Sequence, residues 1–490
     1  TIYGYPSGGG SYVVARENLG TIFGLIAASA LLIDYLLTAA VSLTAGVEAI
    51  ASAIPSLWPH RVLIALILLG LITLANLRGL RETGTLMSIP VYLFLLTYLP
   101  MLGYGLFILL RDGESSLSIN APSATQPMTM FLLLHAFATG CTALTGIEAI
   151  SNGVPAFQPP EAKNAARTLI VMAVLMAILF LGSIGLTQYL GVVSAPQETI
   201  LSALARRLLG TGPAYFTIQF GTMLILAVAA NTSFAGFPRL AAILAKDGFL
   251  PRQFKNLGDR LVFANGILFL AAGTAILIVL FRGDSHLLIP LFAVGVFLAF
   301  TLSQAGMVVH WWRLRGRNWL FKVLINGLGA VTTLITLFVV GITKFLEGAW
   351  VTVVLIPILM FMFLKVRAHY REVRHELSLH GLPPTLRPLT QLRAVVPISG
   401  VHRGIVDAMR YALTISSNVT GVFVELEPGD GEEVREKWER FWPDIPLIVI
   451  PSPLRSVIDP LLDFLDKTDQ EHNDGQQATI VLPEFIPAHW

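Results

Sequence analysis

Membrane-length apolar segments recur along the first 370 residues of the chain. A helix needs about 20 apolar residues to cross a bilayer, because it rises about 1.5 Å per residue. The pattern therefore predicts ten transmembrane helices. Their approximate bounds are 21–50, 60–77, 85–110, 128–150, 166–190, 213–238, 262–281, 286–309, 320–343 and 349–366.

Positive charge alternates between successive connectors of these segments. One set of connectors carries 17 lysine and arginine residues and the alternate set carries six. By the positive-inside rule the richer set is cytoplasmic. Both ends of the chain are then predicted to be cytoplasmic, which agrees with an even number of spans. The richer set comprises Arg16, Arg78, Arg81, Lys163, Arg167, Lys246, Arg252, Lys255, Arg260, Arg313, Arg315, Arg317, Lys322, Lys365, Arg367, Arg371 and Arg374.

Composition agrees with a membrane protein and excludes several other classes. Charged residues make up 13% of the chain, against about 25% in soluble domains, and the mean hydropathy is +0.70. The single cysteine, Cys141, allows no internal disulfide. The sequence contains no nucleophile–base arrangement, Walker loop or nucleic-acid motif, so we expect no enzyme, no cofactor and no nucleic-acid partner. The chain opens on a polar Gly-rich loop rather than an initiator Met, and we expect it to start partway through a longer gene product.

A different kind of domain is predicted after about residue 370. A charged exit helix and linker are expected over 371–384, and a domain of alternating strands and helices over 385–490. Its Val/Ile-rich strands predict a parallel sheet covered by helices. Strands are expected near 393–399, 419–425, 446–451 and 478–483, with helices at 402–414, 432–441 and 454–467.

The first span carries an acid and two hydroxyls at intervals of four residues, Asp34, Thr38 and Ser42. At about 100° per residue these side chains share one helix face. Asp34 falls near mid-bilayer, where a carboxylate is costly and usually belongs to a functional site. With Glu48 near the same face, the stripe is expected to lead from outside to the bilayer centre. The alternative for the hydroxyls is that they bond only to carbonyls of their own helix.

The fourth span contains a second carboxylate, Glu148, among residues that weaken helices. Gly146, Gly153 and Pro155 predict a broken helix, whose freed backbone oxygens become ligands where they line a site. A bare carboxylate at membrane depth costs at least about 2.5 kcal/mol. Glu148 is therefore expected to face a cavity or a partner, close to the hydroxyl of Thr145.

Asp34, Thr145 and Glu148 together offer hard oxygen ligands, which suit an alkali cation rather than zinc or copper. Oxygens that replace a hydration shell can hold a dehydrated potassium ion. Two neighbouring buried carboxylates resist being ionised together, so one is expected to carry a proton near neutral pH. The titration would belong to the pair, and either acid remains a candidate for proton coupling.

Other polar positions in the spans admit two interpretations. Asn231-Thr232-Ser233 either lines the intracellular end of the path or packs against small residues. Thr301 either bonds across helices or packs. His135 is interpreted as a hydrogen-bonded packing residue rather than a proton relay.

Motifs across most of residues 1–310 resemble the amino acid–polyamine–organocation superfamily. Residues 5–12, followed by Asn18-Leu19-Gly20, look like its first cytoplasmic loop. Residues 146–164 are similar to its broken sixth helix and the loop after it, and residues 231–248 resemble its eighth helix. The combination of Ile33-Asp34-Tyr35, Ile289-Pro290-Leu291 and an α/β tail more narrowly resembles the KimA-type high-affinity potassium–proton symporters.

That resemblance implies an all-α LeuT-like fold of 5+5 inverted repeats, whose first two helices are absent from this chain, working by alternating access. It implies potassium uptake coupled to protons in a bacterial plasma (inner) membrane. It also implies a cytosolic domain, similar to universal stress proteins, that joins a homodimer, and regulation by cyclic di-AMP. The implied ion ligands are Asp34, Tyr35, Thr38, Ser42, Thr145 and Glu148, with potassium at Asp34, Thr38, Thr145 and Glu148.

One departure and two alternatives accompany the resemblance. Phe292 stands where such symporters have a Tyr, so a hydroxyl is missing from the implied site. An amino-acid/proton symporter of the same superfamily is the first alternative. The second is a transport-inactive membrane sensor whose tail binds a nucleotide, although no Gly-rich nucleotide loop follows the last predicted strand.

Overall fold

The chain folds into two compact units, which span residues 1–378 and 379–490. The structure, a computed structural model, describes residues 2–5, 10–79, 84–112, 127–154, 157–195, 197–258, 262–378, 392–452, 456–472 and 477–483.

The first unit contains thirteen α-helices in its described residues, with short 3₁₀ or π turns between some of them. The helices are α1 (Ser11–Leu19), α2 (Thr21–Ala53), α3 (Arg61–Leu77), α4 (Gly84–Asp112), α5 (Met130–Cys141), α6 (Ile147–Asn152), α7 (Glu161–Tyr189), α8 (Ile200–Leu209), α9 (Pro213–Lys246), α10 (Ala264–Leu280), α11 (Ser285–Leu314), α12 (Trp319–Thr343) and α13 (Trp350–Glu376).

Eight helical segments among the described residues are long and apolar enough to cross a membrane. Every one of the ten predicted segments contains helix, but two of them hold shorter helices than predicted. The seventh segment contains α10, which has 17 residues. The fourth is interrupted, because α5 ends at Cys141 and helix resumes only at Ile147. The first unit is thus a bundle of membrane-spanning helices in which one span is broken.

Helix α2 is the centre of this bundle and packs against α1, α9 and α11. Its most apolar stretch is 67% buried within the protein, whereas that of α7 is only 6% buried. The helix is rich in alanine, glycine and serine, whose small side chains let neighbouring helices approach closely inside a bilayer. The acids of α2 consequently lie in the protein interior and not against lipid.

The second unit is built on a four-stranded parallel sheet with the order β3-β2-β1-β4. Helices α14 (Val406–Ile415), α15 (Asp430–Phe441) and α16 (Ile458–His472) alternate with the strands. This is the parallel pattern that the Val/Ile runs predict. The strands are β1 (Arg393–Ile398), β2 (Asn418–Glu425), β3 (Leu447–Pro451) and β4 (Thr479–Ile480).

Several predicted boundaries differ from the structure. The strand predicted over 478–483 is reduced to the two residues of β4, which pair with β1 at Ala394 and Val395. The exit helix predicted from residue 371 is the last part of α13, which runs without interruption to Glu376. Most of the predicted linker, at residues 379–384, lies outside the described residues.

Candidate functional site

The break in the fourth predicted span centres on Thr145 and Gly146. After α5, residues Thr142–Leu144 form one 3₁₀ turn, and Thr145 then adopts an extended backbone. Gly146 has a φ of +94°, a left-handed conformation that costs glycine little because it has no Cβ. Gly153 ends α6, and Pro155 lies outside the described residues. The chain therefore crosses the middle of the unit as two helical pieces joined by non-helical backbone.

Glu148 sits in the first turn of α6, next to this break. Its Oε2 accepts a hydrogen bond of 3.0 Å from the backbone N–H of Gly146. The hydroxyl of Thr145 donates to the carbonyl of Thr142 at 2.8 Å, which leaves its lone pairs available. Both side chains line a cavity of about 1000 Å³.

Helix α2 forms the facing wall of that cavity. Tyr35, Thr38 and Ser42 line it, one turn after another. Asp34 is only 2% exposed and is not itself part of the lining, yet it lies close enough to Glu148 for the two carboxylates to interact as charges. Its closest described partner is the hydroxyl of Thr38, at 3.5 Å from Oδ1. The structure thus brings together the six residues singled out in the sequence, five on the cavity wall and Asp34 close behind it.

Helices α9 and α11 complete the wall. Phe292 lines the cavity from α11 and presents an apolar ring there. Gly236 of α9 lies against the ring of Tyr35, because a Cβ at this position would be only 2.5 Å from Cε1 of that ring. Any larger residue at 236 would displace the tyrosine, so Gly236 positions Tyr35 at the cavity.

The polar run Asn231-Thr232-Ser233 also borders this cavity, as its interpretation as part of the path requires. Asn231 accepts a hydrogen bond from Asn76 of α3 at 2.7 Å. Ser233 is fully buried, and its hydroxyl has no hydrogen-bond partner among the described residues. A buried hydroxyl without a partner costs free energy, so Ser233 is a polar position that the protein alone does not satisfy.

Glu48 does not extend the polar stripe, contrary to the expectation from its position on α2. Its Oε1 accepts the backbone N–H of Ser285 at 2.9 Å, and its Oε2 accepts the Ser285 hydroxyl at 2.5 Å. The carboxylate therefore caps the first turn of α11, where the N–H groups lack partners within their own helix. Glu48 is a structural acid, and the stripe ends at Ser42.

A charged cluster near the C-terminal end of α9 was not predicted. Asp247 accepts a hydrogen bond from the Tyr12 hydroxyl at 2.6 Å and forms an ion pair with Arg16, both on α1. Burial, with the neighbouring Asp247 carboxylate, raises the pKa of the Tyr12 phenol. Tyr12 lines the cavity, so the cluster contributes to the cavity wall. These partners are more than 200 positions apart along the chain, and no sequence pattern joins them.

His135 and Thr301 are both hydrogen-bonded across helices. The Nε2 atom of His135 lies 2.7 Å from Oε1 of Glu347 and 2.7 Å from Nζ of Lys344. The hydroxyl of Thr301 contacts that of Thr333 on α12 at 3.0 Å. The interpretation of His135 as a hydrogen-bonded residue is thus confirmed, although its partners are charged.

A second cavity, of about 1070 Å³, opens on the other side of the break. Thr145 and Gly146 border it, but most of its lining comes from apolar side chains of α4 and α7. Its lining, among the described residues, contains no carboxylate, so the cavity with Thr38 and Glu148 is the candidate cation site.

Comparison with known proteins covers both units of the chain. A family model described as amino acid permease matches residues 1–363, and one described as the KimA potassium transporter C-terminal domain matches residues 390–490. The potassium transporter KimA of Bacillus subtilis (strain 168) is 41% identical over 489 residues, which is 99% of this chain and 80% of that relative.

Proposed function

Because this chain belongs to the amino acid permease family and carries a KimA-type C-terminal domain, we propose that it transports potassium. Membership of that family makes it a membrane transporter and not an enzyme. We propose further that it takes up potassium through a bacterial plasma membrane by alternating access, driven by protons.

One observation carries this proposal: two acids from separate helices approach each other beside a cavity walled by hydroxyl groups. Asp34 comes from α2 and Glu148 from the broken span, and they are close enough to interact as charges. Two carboxylates in that position repel each other unless a cation or a proton lies between them. A potassium ion held by Asp34, Thr38, Thr145 and Glu148 would meet this need, with Tyr35 and Ser42 as further oxygen ligands.

Proton coupling follows from the same pair of acids. When the potassium ion leaves, one carboxylate can bind a proton and so relieve the repulsion that remains. Binding of potassium and of a proton would then be linked through a single site, with the proton shared between Asp34 and Glu148. This account needs no third titratable group.

The wider organisation is proposed from the resemblance and the charge pattern. Residues 1–370 would form the transport domain, 371–384 the exit helix and linker, and 385–490 a cytosolic domain similar to universal stress proteins. The membrane domain would follow the LeuT-like inverted repeat, with both described ends in the cytoplasm. The cytosolic domain would join a homodimer and bind cyclic di-AMP as an inhibitor.

The alternative with a specific observation in its favour is amino-acid transport by the same fold. The family model that matches residues 1–363 is named for amino acid permeases. Against it, the described cavity wall offers the Glu148 carboxylate and several hydroxyls, which suit a cation, although Arg239 and Lys246 also line the cavity and could meet the carboxylate of an amino acid. A sensor without transport is the remaining alternative.

Uptake of rubidium-86 by purified protein in liposomes tests the proposal. An inward proton gradient of one pH unit supplies about 1.4 kcal/mol per proton. With the membrane potential clamped, we expect this gradient to accelerate uptake severalfold. Unlabelled potassium should compete, and a mixture of the twenty amino acids should not.

Each contrary result points to a different reading. Rubidium uptake at the same rate with and without the pH gradient would rule out proton coupling but not potassium transport. Labelled amino acid entering the liposomes, without rubidium, would favour the permease alternative. Absence of any flux, together with tight binding of cyclic di-AMP, would favour the sensor.

A further inference from the structure

The turn between α11 and α12 concentrates positive charge. This basic turn, residues 310–322, contains Arg313, Arg315, Arg317 and Lys322 and no acidic residue. The nearest acids along the chain are Asp284 and Glu347, on either side of the two helices. The turn therefore carries a local charge of about +4 that its own sequence does not neutralise.

Aromatic rings hold two of these cations in place. The guanidinium carbon of Arg315 lies 5.9 Å from the ring centre of Trp312 and 5.8 Å from that of Trp319. The two indoles meet edge to face, with centroids 5.3 Å apart. Nζ of Lys322 lies 3.9 Å above the ring of Trp311. Cation–π contacts of this kind orient a cation without neutralising its charge.

The described part of the chain does not pair these cations with carboxylates. None of the ion pairs found there includes Arg313, Arg315, Arg317 or Lys322. Glu17 of α1 lies near Tyr5 and His310 and is close enough to affect both. One exposed acid cannot balance four cations, so the turn retains a net positive potential.

An exposed apolar surface adjoins the basic turn. Trp312 is 53% exposed, and Leu320 and Phe321, at the start of α12, are 58% and 64% exposed. The same surface continues along α12 through Leu324 and Leu328, which are 69% and 67% exposed. Cations followed by indoles and then by a lipid-facing helix match the order of groups in a phospholipid, from phosphate to acyl chain.

We propose that the basic turn binds the headgroup of an anionic phospholipid from the bilayer around the protein. Arg313, Arg315 and Arg317 contact the phosphate, and Trp312 and Trp319 lie at the level of the glycerol and ester groups. The acyl chains follow Leu320, Phe321 and Leu324. The apolar half of this surface distinguishes a lipid from free phosphate, which would need only the cations. The site does not depend on which solute the membrane unit transports.

Quenching of tryptophan fluorescence by brominated lipid measures this binding directly, since the indoles belong to the site. The protein is placed in nanodiscs of phosphatidylcholine that contain either brominated phosphatidylglycerol or brominated phosphatidylcholine. A Trp312→Phe/Trp319→Phe variant supplies the background from the other tryptophans. We expect the intact protein to prefer phosphatidylglycerol by at least tenfold, since each cation near an anionic surface strengthens binding about fivefold.

The test variant is Arg313→Gln/Arg315→Asn/Arg317→Gln. Asparagine is chosen at 315 because this residue has a φ of +44°, a left-handed conformation that asparagine tolerates. We expect the preference for phosphatidylglycerol to fall to within twofold of unity. In the single Arg315→Asn variant, which disturbs the turn least, we expect the preference for phosphatidylglycerol to fall severalfold.

The matched control, Lys163→Gln/Arg167→Gln/Arg371→Gln, removes three exposed cations from other parts of the first unit. It should keep the preference of the intact protein. Equal losses in the two triple variants would overturn the proposal, because they would indicate general attraction of a basic protein to an acidic bilayer. An intact protein without preference would overturn it as well.

Discussion

Helix α2 carries two buried acids whose surroundings differ completely. Glu48 is 4% exposed and accepts two hydrogen bonds from Ser285 at the start of α11. Asp34 is 2% exposed, its hydrogen bond among the described residues is a long contact of 3.5 Å with Thr38, and it has the like charge of Glu148 nearby. Burial alone therefore does not identify a functional carboxylate. The difference on which the proposal rests is that Ser285 satisfies Glu48, whereas Asp34 has the carboxylate of Glu148 as a neighbouring charge.

The largest expected effect comes from neutralising the two acids beside the cavity, Asp34 and Glu148. In Asp34→Asn and in Glu148→Gln we expect rubidium uptake at low external concentration to fall by about 100-fold. Removing one partner from a buried pair of opposite charges costs about 3 kcal/mol. Initial rates of rubidium-86 uptake, normalised to the amount of protein in the membrane, measure the effect.

Glu48→Gln is the control for that comparison. Its amide oxygen can still accept from Ser285, but the charge that favours a helix N-terminus is lost, at a cost of about 1 kcal/mol. We expect a lower melting temperature and an unchanged half-saturation concentration for rubidium. A Glu48→Gln protein that is stable but inactive would show that the distinction between the two acids is wrong.

A smaller effect is expected from the hydroxyl groups of α2. Thr38 lines the cavity, whereas the hydroxyl of Thr44 donates to the carbonyls of Ala40 and Val41 in its own helix, at 2.9 and 3.0 Å. Replacing threonine by valine removes the hydroxyl and nearly preserves the shape. Thr38→Val should raise the half-saturation concentration about tenfold, since one hydrogen-bond-like contact to a charge is worth about 1.5 kcal/mol. Thr44→Val should leave it unchanged, and equal responses would argue against a ligand role for Thr38.

The smallest effect is expected at Phe292. This ring lines the cavity on α11, and the resemblance to KimA-type symporters implies a tyrosine at this position. Phe292→Tyr would add a hydroxyl oxygen to the site, so we expect a two- to fivefold lower half-saturation concentration. Competition between rubidium and potassium measures it. Weaker binding in this variant would mean that the cavity has no room for the added oxygen.

Local properties of the chain were predictable from the sequence. The ten apolar segments, the shared face of Asp34, Thr38 and Ser42, and the parallel order of β1, β2 and β3 all depend on short periodic patterns. The break near Gly146 was predictable for the same reason, because glycine weakens a helix wherever it lies. The length of β4 was overestimated, because the length of a strand depends on the neighbouring strand with which it pairs.

Pairs of distant residues were decided by the tertiary structure alone. Periodicity placed Glu48 near the face of the polar stripe, but only the packing of α11 against α2 shows that Ser285 takes up its carboxylate. The ion pair of Arg16 with Asp247 is likewise a product of packing, since 231 positions separate the two residues. A sequence determines which side chains share a helix face, because helix geometry is local. Which face meets which neighbour depends on how all the helices pack together, and this is what separates the acid proposed to bind a cation from the acid that caps a helix.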